Sequence, residues 1–463
     1  MNVQKICKLV DICDNDTINT ITSNACQNIN LIDLVMDRDA LDKIDFTFSH
    51  SLPDIRPFDQ KSAGVCWICA GLTICRRKMI KRFNLRDDFS LSINHLFFWD
   101  KLEKCNHFMD YLIEHMNHGY QSEKITDALR SPCSDGGNWN YFVDLVKKYG
   151  LIPDSISKRR FSGKNTSCLN KLLKYKLREF AVELFDSSKD IDFDPMTDTE
   201  KIKDKYMTII LRIILRMVGK PIFPEESFDW KYSDKNNKTK IAQGLCALSF
   251  YKNYCEIDFD NYVEIINDPR KDHPFYKTYR KDQSYHLFGM STEKTIANCM
   301  LNLPNSDIIK LIVKQIDQGI PVWFSCDVDK YVYHKNNIMD TKIYDFDTPF
   351  NTSFTGMKKS DRMDFGDLHG CHAMAIVGYD VSLDKKRKRS RKNNIVSFKV
   401  ENSWGQCGDN KGYYVMDIEW FKMFCLEIII QESFLKKKHM DMMKTCPMIL
   451  DKNDVLGKNV CSC

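Results

Sequence analysis

Blocks of apolar and polar positions along this chain differ in length between its two halves. Residues 66–83 begin as a wholly apolar run and then become amphipathic with five basic side chains. This pattern predicts a helix whose first turns are buried and whose basic end is solvated. Helices are also predicted over about 92–116, and over 139–148, where Gly150 follows the end.

The remainder of the chain changes from long helical segments to short β-type runs. Residues 155–310 are rich in helix formers, with the clearest helices over 170–185 and 199–218. From about residue 322 onward the apolar runs are short, as in 373–379 and 395–401. A helical half followed by a sheet-rich half predicts the α+β class.

The composition allows a large buried core and indicates no membrane segment. The chain has 463 residues, of which 43% are hydrophobic, enough for two or three domains or one elaborated domain. Its first residues lack the apolar run of a secretory signal, and no stretch reaches the roughly 18–20 apolar residues that span a bilayer. Nineteen cysteines therefore predict reduced thiols in the cytoplasm, not a disulfide framework.

The net charge of +5 rests on one segment between two predicted strands. A solvated loop is the simplest interpretation of this segment, and non-specific nucleic-acid binding or a nuclear import signal is the alternative. Its seven basic residues are Lys385, Lys386, Arg387, Lys388, Arg389, Arg391 and Lys392.

A glutamine and a cysteine six residues apart are the strongest chemical signal. Cys66 begins the predicted helix, where unpaired amide groups and the helix dipole stabilise a thiolate. Gln60, on the incoming loop, can bring its side-chain amide beside the sulfur. Together with the backbone N–H of Cys66 it would form an oxyanion hole.

A histidine and an asparagine downstream complete a catalytic triad with Cys66. If the two strands pair as an antiparallel hairpin with Tyr379 opposite Ile395, His372 falls directly opposite Asn402. Asn402 would then fix the imidazole tautomer and leave the other ring nitrogen for the thiol. His369 sits in a glycine-flanked loop with no following strand and is rejected as the base.

These residues resemble the papain superfamily, and more closely its bleomycin hydrolase branch. The resemblance runs from about residue 40 to Gly457, and it implies that Trp404 shields the histidine–asparagine bond from water. The segments that carry it are Gln60–Trp67, Leu96–Lys101, Asp135–Trp139, Tyr149–Pro153, Asn267–Arg270, Trp323–Val328, Val400–Gly405 and Glu419–Phe421.

The same resemblance implies a domain organisation and an oligomer. His372 follows Cys66 by 306 residues, against about 130–150 in typical papain-like enzymes, so a helical insertion is expected. The family forms homohexameric barrels through such helices. The expected parts are an N-terminal arm (1–59), a core part with the catalytic cysteine (60–154), the insertion (155–310), a sheet part (311–445) and a C-terminal tail (446–463).

The tail and a glycine pair are implied to shape substrate binding. In the family the C-terminal segment lies in the cleft and restricts the enzyme to free N-termini. Here it would run through Gly457 to Cys463, although the residues after Gly457 depart from the family pattern. Gly136 and Gly137 are expected to align the substrate backbone. The predicted function is a cysteine aminopeptidase acting on peptides, without metal or organic cofactor.

Two alternatives remain beside this prediction. Cys66 and Cys69 form a CxxC pair, which could serve as a regulatory disulfide, but no βαβ pattern supports a redox fold and no second pair supports zinc. A catalytically idle barrel that binds nucleic acid or peptides is the rival from another class.

Overall fold

The computed structural model describes residues 1–14, 17–281, 299–382, 394–451 and 454–456. Within these residues the helices are α1 Val3–Asp14, α2 Thr17–Asn28, α3 Leu31–Leu34, α4 Arg38–Asp42, α5 Cys66–Phe83, α6 Ile93–His115, α7 Glu123–Arg130, α8 Trp139–Tyr149, α9 Phe161–Lys164, α10 Ser167–Ser187, α11 Thr197–Met217, α12 Ala247–Phe250, α13 Asn305–Asp317, α14 Asp347–Phe350, α15 Lys359–Asp364, α16 Ile418–Phe424 and α17 Lys437–Met443. The strands are β1 His50–Ser51, β2 Phe228–Ser233, β3 Thr239–Leu245, β4 Tyr262–Ile266, β5 Thr278–Lys281, β6 Met300–Asn302, β7 Val322–Cys326, β8 Val332–Tyr333, β9 Ile338–Met339, β10 His372–Val381, β11 Ile395–Glu401, β12 Tyr413–Asp417, β13 Cys425–Gln431 and β14 Met448–Leu450.

The helices of the first half form where the apolar pattern predicts them. α5 spans the predicted residues, and α6 begins after Ser92, whose side chain accepts a hydrogen bond from the backbone N–H of His95. Such an N-cap satisfies an amide that the helix itself cannot pair. α8 ends at Gly150, whose φ of +72° suits glycine.

One large sheet runs through the second half. Its strands follow the order β14-β5-β6-β4-β13-β7-β10-β11-β12-β9-β8, with β1 added beside β10. α5, α6 and α8 pack with α10 and α11 in one large apolar core, to which the sheet contributes Trp323, Ala373 and Ile429. α13 and α16 share a second core with the rest of the sheet.

The helical insertion expected over 155–310 is helical only in its first part. α10 and α11 are each slightly longer than predicted, but β2 and β3 form a separate hairpin after them. β4, β5 and β6 then join the main sheet, where β4 pairs with β13. Strands of three to five residues are too short for the period-2 pattern to be recognised.

Candidate active site

The predicted nucleophile lies at the first position of a buried helix. Cys66 begins α5 and its residue is 1% exposed. The side chain of the N-cap residue, Val65, makes no capping hydrogen bond, and the dipole of the helix favours negative charge at the sulfur. The arrangement matches what a thiolate nucleophile requires.

His372 and Asn402 contact each other directly. The Nε2–H of His372 donates to Oδ1 of Asn402 at 2.8 Å, and both residues are buried. The backbone N–H of Ser403 donates to the same Oδ1 at 2.7 Å, which fixes the orientation of the amide. The hydrogen bond from Ser403 therefore keeps Oδ1 of Asn402 directed at the imidazole of His372.

The observed register between β10 and β11 differs from the predicted one by about two residues. Val381, not Tyr379, lies opposite Ile395, and Ala375 lies opposite Glu401. Successive side chains of a strand alternate between faces, so a shift of two residues leaves His372 and Asn402 on one face as diagonal neighbours. His372 itself pairs with Cys326 in β7.

Trp404 lies beside this pair, as the resemblance implies. Its ring centroid is 4.9 Å from that of His372, and it is half-buried. The turn that carries it is held by the backbone N–H of Gly405, which donates to Phe58 O at 2.8 Å. A Cβ at Gly412 would lie 2.0 Å from the carbonyl oxygen of Gly405, so only glycine allows this close approach.

Gln60 is fixed in a defined orientation. The Oγ–H of Ser403 donates to its Oε1 at 2.6 Å, and its backbone N–H donates to Ser403 O at 2.7 Å. Because Oε1 is occupied, Nε2 is the end of the amide that can donate to an oxyanion. Sequence reasoning missed this role of Ser403, although the serine directly follows Asn402.

Arg159 fixes the same loop from the other side. Its guanidinium donates to the carbonyl oxygens of Asp59 at 3.0 Å and Gln60 at 2.9 Å. It also donates to the carbonyl oxygen of Gly163 at 3.1 Å. Nothing in the sequence pattern identified this arginine, which lies almost a hundred residues from the loop that it holds.

The glycine pair follows a buried aspartate that anchors the loop. Lys101 Nζ contacts Asp135 Oδ1 at 2.5 Å. Burial acts to raise the pKa of Asp135, but the charge and hydrogen bond of Lys101 outweigh it, and the pKa lies below its usual range. Lys104 Nζ donates to Gly136 O at 2.6 Å. A Cβ at Gly137 would lie 2.5 Å from the Trp67 ring, so the loop lies directly against the residue that follows Cys66.

The last turns of α5 are solvated as the pattern predicts, with Lys78, Lys81 and Arg82 exposed, but two arginines before them are not. Arg76 and Arg77 are buried and contact the two carboxylate oxygens of Glu401 at 2.6 and 2.5 Å. Thr73 also donates to Glu401, at 3.2 Å. Glu401 directly precedes Asn402, so this ion pair connects the helix of Cys66 to the strand that carries the asparagine.

Cys69 and His369 do not join the site. Burial raises the pKa of the Cys69 thiol to about 12, and neither cysteine of the CxxC pair forms a disulfide. A thiol with so high a pKa is a poor redox partner. His369 is exposed, and its backbone N–H donates to Asp327 Oδ2 at 3.1 Å.

Three potential metal ligands lie close together near His372. Asp327, Asp329 and Cys371 have ligand atoms within 4.8 Å of one another. The Asp327 oxygens already accept the backbone N–H groups of His369 and Asp329, at 3.1 and 3.2 Å. Through these hydrogen bonds Asp327 holds the loop before His372, which explains the cluster without a metal ion.

The C-terminal tail contacts a segment that follows β4, at the same end of the strands as His372. Cys326 pairs with both His372 and Cys425, and Leu426 O accepts the backbone N–H of Asn267 at 3.1 Å. Three strand spacings of about 4.8 Å therefore separate His372 from the Asn267–Arg270 segment. There Arg270 contacts Asp454 of the tail at 2.8 Å.

Several sequence predictions lie outside the described residues or stay untested. Gly457, Cys463 and the basic run 385–392 are outside them. Across the described ranges, the structure contains no helix with the length and apolar character of a membrane span. The seventeen cysteines of the described part are all free thiols.

Comparisons with known proteins agree with the fold and the site. The model of the Peptidase C1-like family matches residues 1–457. Bleomycin hydrolase of Homo sapiens is 28% identical over 465 aligned residues, covering 99% of this chain and 98% of that protein. Aminopeptidase C of Listeria monocytogenes is 31% identical over 410 residues, covering 89% of this chain and 88% of that protein.

The backbone of this chain is also similar to that of a solved structure. PepW from Lactobacillus rhamnosis matches with a TM-score of 0.90 at 30% identity, covering 99% of both chains. The papain-like α+β fold, the resemblance to the bleomycin hydrolase branch and the prediction of a cysteine peptidase are confirmed. The chain belongs to the Peptidase C1-like family.

Proposed function

We propose that this chain is a cysteine aminopeptidase that hydrolyses peptide and amide bonds next to a free N-terminus, with Cys66 as nucleophile. The hydrogen bond of 2.8 Å between His372 and Asn402 carries the proposal. It places a base of defined tautomer on the strand that packs against the helix of Cys66. The relatives named aminopeptidase C support the exopeptidase activity.

The reaction follows from the roles of these side chains. Asn402 holds Nε2 of His372, so Nδ1 accepts the proton of the Cys66 thiol. The sulfur attacks the scissile carbonyl, and the backbone N–H of Cys66 and Nε2 of Gln60 donate to the oxyanion. His372 then protonates the leaving amine. Water, deprotonated by the same imidazole, hydrolyses the thioester and regenerates the thiol.

The tail supports the restriction to free N-termini. Its last described residues, 454–456, are anchored by Arg270 and by burial of Leu456 in the second core. This anchor lies at the same end of the strands as His372, three strands away. Gly457 to Cys463 lie outside the described residues, and their entry into the cleft is part of the proposal. Gly136 and Gly137 would align the bound peptide on the opposite side.

Hydrolysis of aminoacyl fluorogenic amides tests the proposal. We expect cleavage of free aminoacyl amides, little cleavage of their N-acetyl forms, and loss of both in Cys66→Ser and His372→Ala. His369→Ala is the matched control and should retain activity. Equal cleavage of blocked and free substrates would leave a cysteine peptidase but reject the aminopeptidase assignment.

The subunit number and the location are further parts of the proposal. Exposed apolar side chains on one face of α10 (Leu172, Tyr175 and Val182) and on α11 (Leu211 and Leu215) support assembly through the helices. A homohexamer in the cytoplasm is the expected form. Mass in solution by light scattering tests it, with Val182→Lys expected to lower the mass.

A further inference from the structure

A small cavity lies between α13 and α17, and none of the proposed catalytic residues lines it. Its volume is about 210 Å³. Lys310 and Lys314 of α13 lie on one wall, and Lys436 and His439 lie on the other. The lysines are exposed at the rim, whereas His439 is only 1% exposed.

The imidazole of His439 has no hydrogen-bond partner among the described residues. Neither Nδ1 nor Nε2 is paired, although a neutral imidazole always carries one N–H donor. The nearest ring, Tyr276, lies 6.4 Å away between centroids and donates its hydroxyl to Asp307 instead, at 3.0 Å. A buried donor without an acceptor is costly, so such a group is expected to meet a ligand or water.

The cavity also has a surplus of positive charge. Asp307 is the acidic residue on its wall, and its carboxylate is already engaged by Tyr276 and by Lys310 at 3.4 Å. Burial, followed by the nearby charge of Lys438, lowers the pKa of His439, and Lys436 and Lys314 act in the same direction while Asp307 opposes them. The imidazole is therefore neutral near pH 7, with one N–H to donate.

We propose that this cavity binds a small tetrahedral oxyanion of the phosphate class. His439 donates its ring N–H to one oxygen, while Lys310, Lys314 and Lys436 neutralise the charge. Lysine acts as a flexible point charge toward phosphate and needs no planar fork geometry. The proposal is independent of the peptidase function.

The position of the cavity gives the anion a structural consequence. α17 leads directly into the tail, where Thr445 Oγ1 lies 3.3 Å from Thr278 Oγ1 and β14 pairs with β5. An anion shared by α13 and α17 connects the start of this segment to the second core. Binding to the folded state alone then raises the Tm.

Calorimetric titration of the full-length protein with inorganic phosphate tests the site, with NaCl holding the ionic strength constant. We expect one saturable site per chain. Lys310→Gln combined with Lys314→Gln should weaken binding at least tenfold, and His439→Leu should abolish it. Lys240→Gln, at an exposed lysine elsewhere, is the matched charge control and should bind within twofold of the wild type.

Two results would overturn the proposal: no saturable binding of phosphate by the wild type, or equal weakening by Lys240→Gln and the rim pair. Should His439→Leu fail to fold by circular dichroism, the rim pair still decides, because its side chains are exposed. A second titration with adenosine monophosphate identifies the source. Competition with phosphate indicates a phosphomonoester ligand, and binding of phosphate alone indicates the free ion.

Discussion

Ser403 holds Gln60, the proposed oxyanion donor, through two hydrogen bonds, one from its hydroxyl and one to its carbonyl oxygen. Ser403→Ala removes only the first, so the Gln60 amide can rotate and present either end to the oxyanion. Loss of one oxyanion donor lowers kcat by a factor of about 10²–10³. We expect Ser403→Ala to lower kcat by a factor between roughly a tenth of this value and the whole of it. Steady-state kinetics should show the fall in kcat with little change in KM.

Two controls make this result interpretable. Gln60→Ala should show the full loss, and Ser433→Ala, at an exposed serine, should show none. If kcat of Ser403→Ala stays within twofold of the wild type, the hydroxyl does not orient the glutamine.

A second prediction at this scale concerns pH and stability. Burial lowers the pKa of His95 to about 4, and its ring Nε2 donates to Tyr149 O at 2.9 Å. The unfolded chain therefore binds a proton near pH 6.5, before the folded chain does. Stability from this residue is complete above about pH 6.5 and falls as the pH decreases toward 4, by about 3 kcal/mol in all.

Chemical denaturation at several pH values measures this contribution. His95→Gln should be less stable at pH 7.5 but should lose less stability than the wild type between pH 6.5 and 4.5. Parallel curves for the two proteins would show that His95 does not titrate as the structure indicates.

At the scale of elements, the sequence predicts what periodicity and local chemistry determine. The bounds of α5 and β11 follow from their apolar patterns, and the choice of His372 over His369 follows from the strand after it. The hairpin register is wrong by about two residues, because β10 contains irregular pairings near Ile376 and Asp380. No local pattern indicates such irregularities.

Two arginines in the second half of α5 show the same limit for charges. The pattern groups Arg76 and Arg77 with the solvated basic residues that follow them, whereas contact with the distant Glu401 makes them part of a buried ion pair. The side chains that hold Gln60 come from Ser403 and Arg159, far along the chain. These contacts depend on tertiary packing, which one sequence does not reveal.

The ion pair at Glu401 leads to the prediction at this scale. Glu401→Ala leaves two buried guanidinium groups without their carboxylate, which typically costs about 3–5 kcal/mol. Because Glu401 precedes Asn402, kcat should fall as well. Urea denaturation and steady-state kinetics measure the two effects.

Glu401→Gln is the graded variant, since it keeps one of the two acceptor oxygens and should cost less than alanine. Glu419→Ala, at an exposed ion pair, should change stability by less than about 1 kcal/mol. A cost for Glu401→Ala no greater than that of Glu419→Ala would contradict the role of this ion pair.

At the scale of the whole molecule, the main sheet joins segments that the sequence suggests are separate. β4 and β6 lie in the stretch interpreted as a helical insertion, yet they pair in the sheet that carries His372. Asn267–Arg270 directly follows β4 and so lies at the same end of the strands as His372. A family resemblance indicated this segment from the sequence, but only the ion pair between Arg270 and Asp454 shows that it contacts the tail.

The contact between Arg270 and the tail should decide which substrates enter the cleft. Asp454→Ala removes the partner that Arg270 holds at 2.8 Å without disturbing the buried Asp268. If the tail blocks the cleft, its partial release admits N-acetylated peptides, which the intact enzyme excludes. Each 1.4 kcal/mol of lost anchoring should raise the released fraction about tenfold, until the released form predominates. The ratio of kcat/KM for N-acetyl over free peptides should therefore rise, and adding Leu456→Ala should raise it further.

Asp441→Ala, at an exposed position of α17, is the matched control and should leave the ratio unchanged. An unchanged ratio in the double variant, with the fold intact, would mean that the cleft restricts substrates by some other part of the chain.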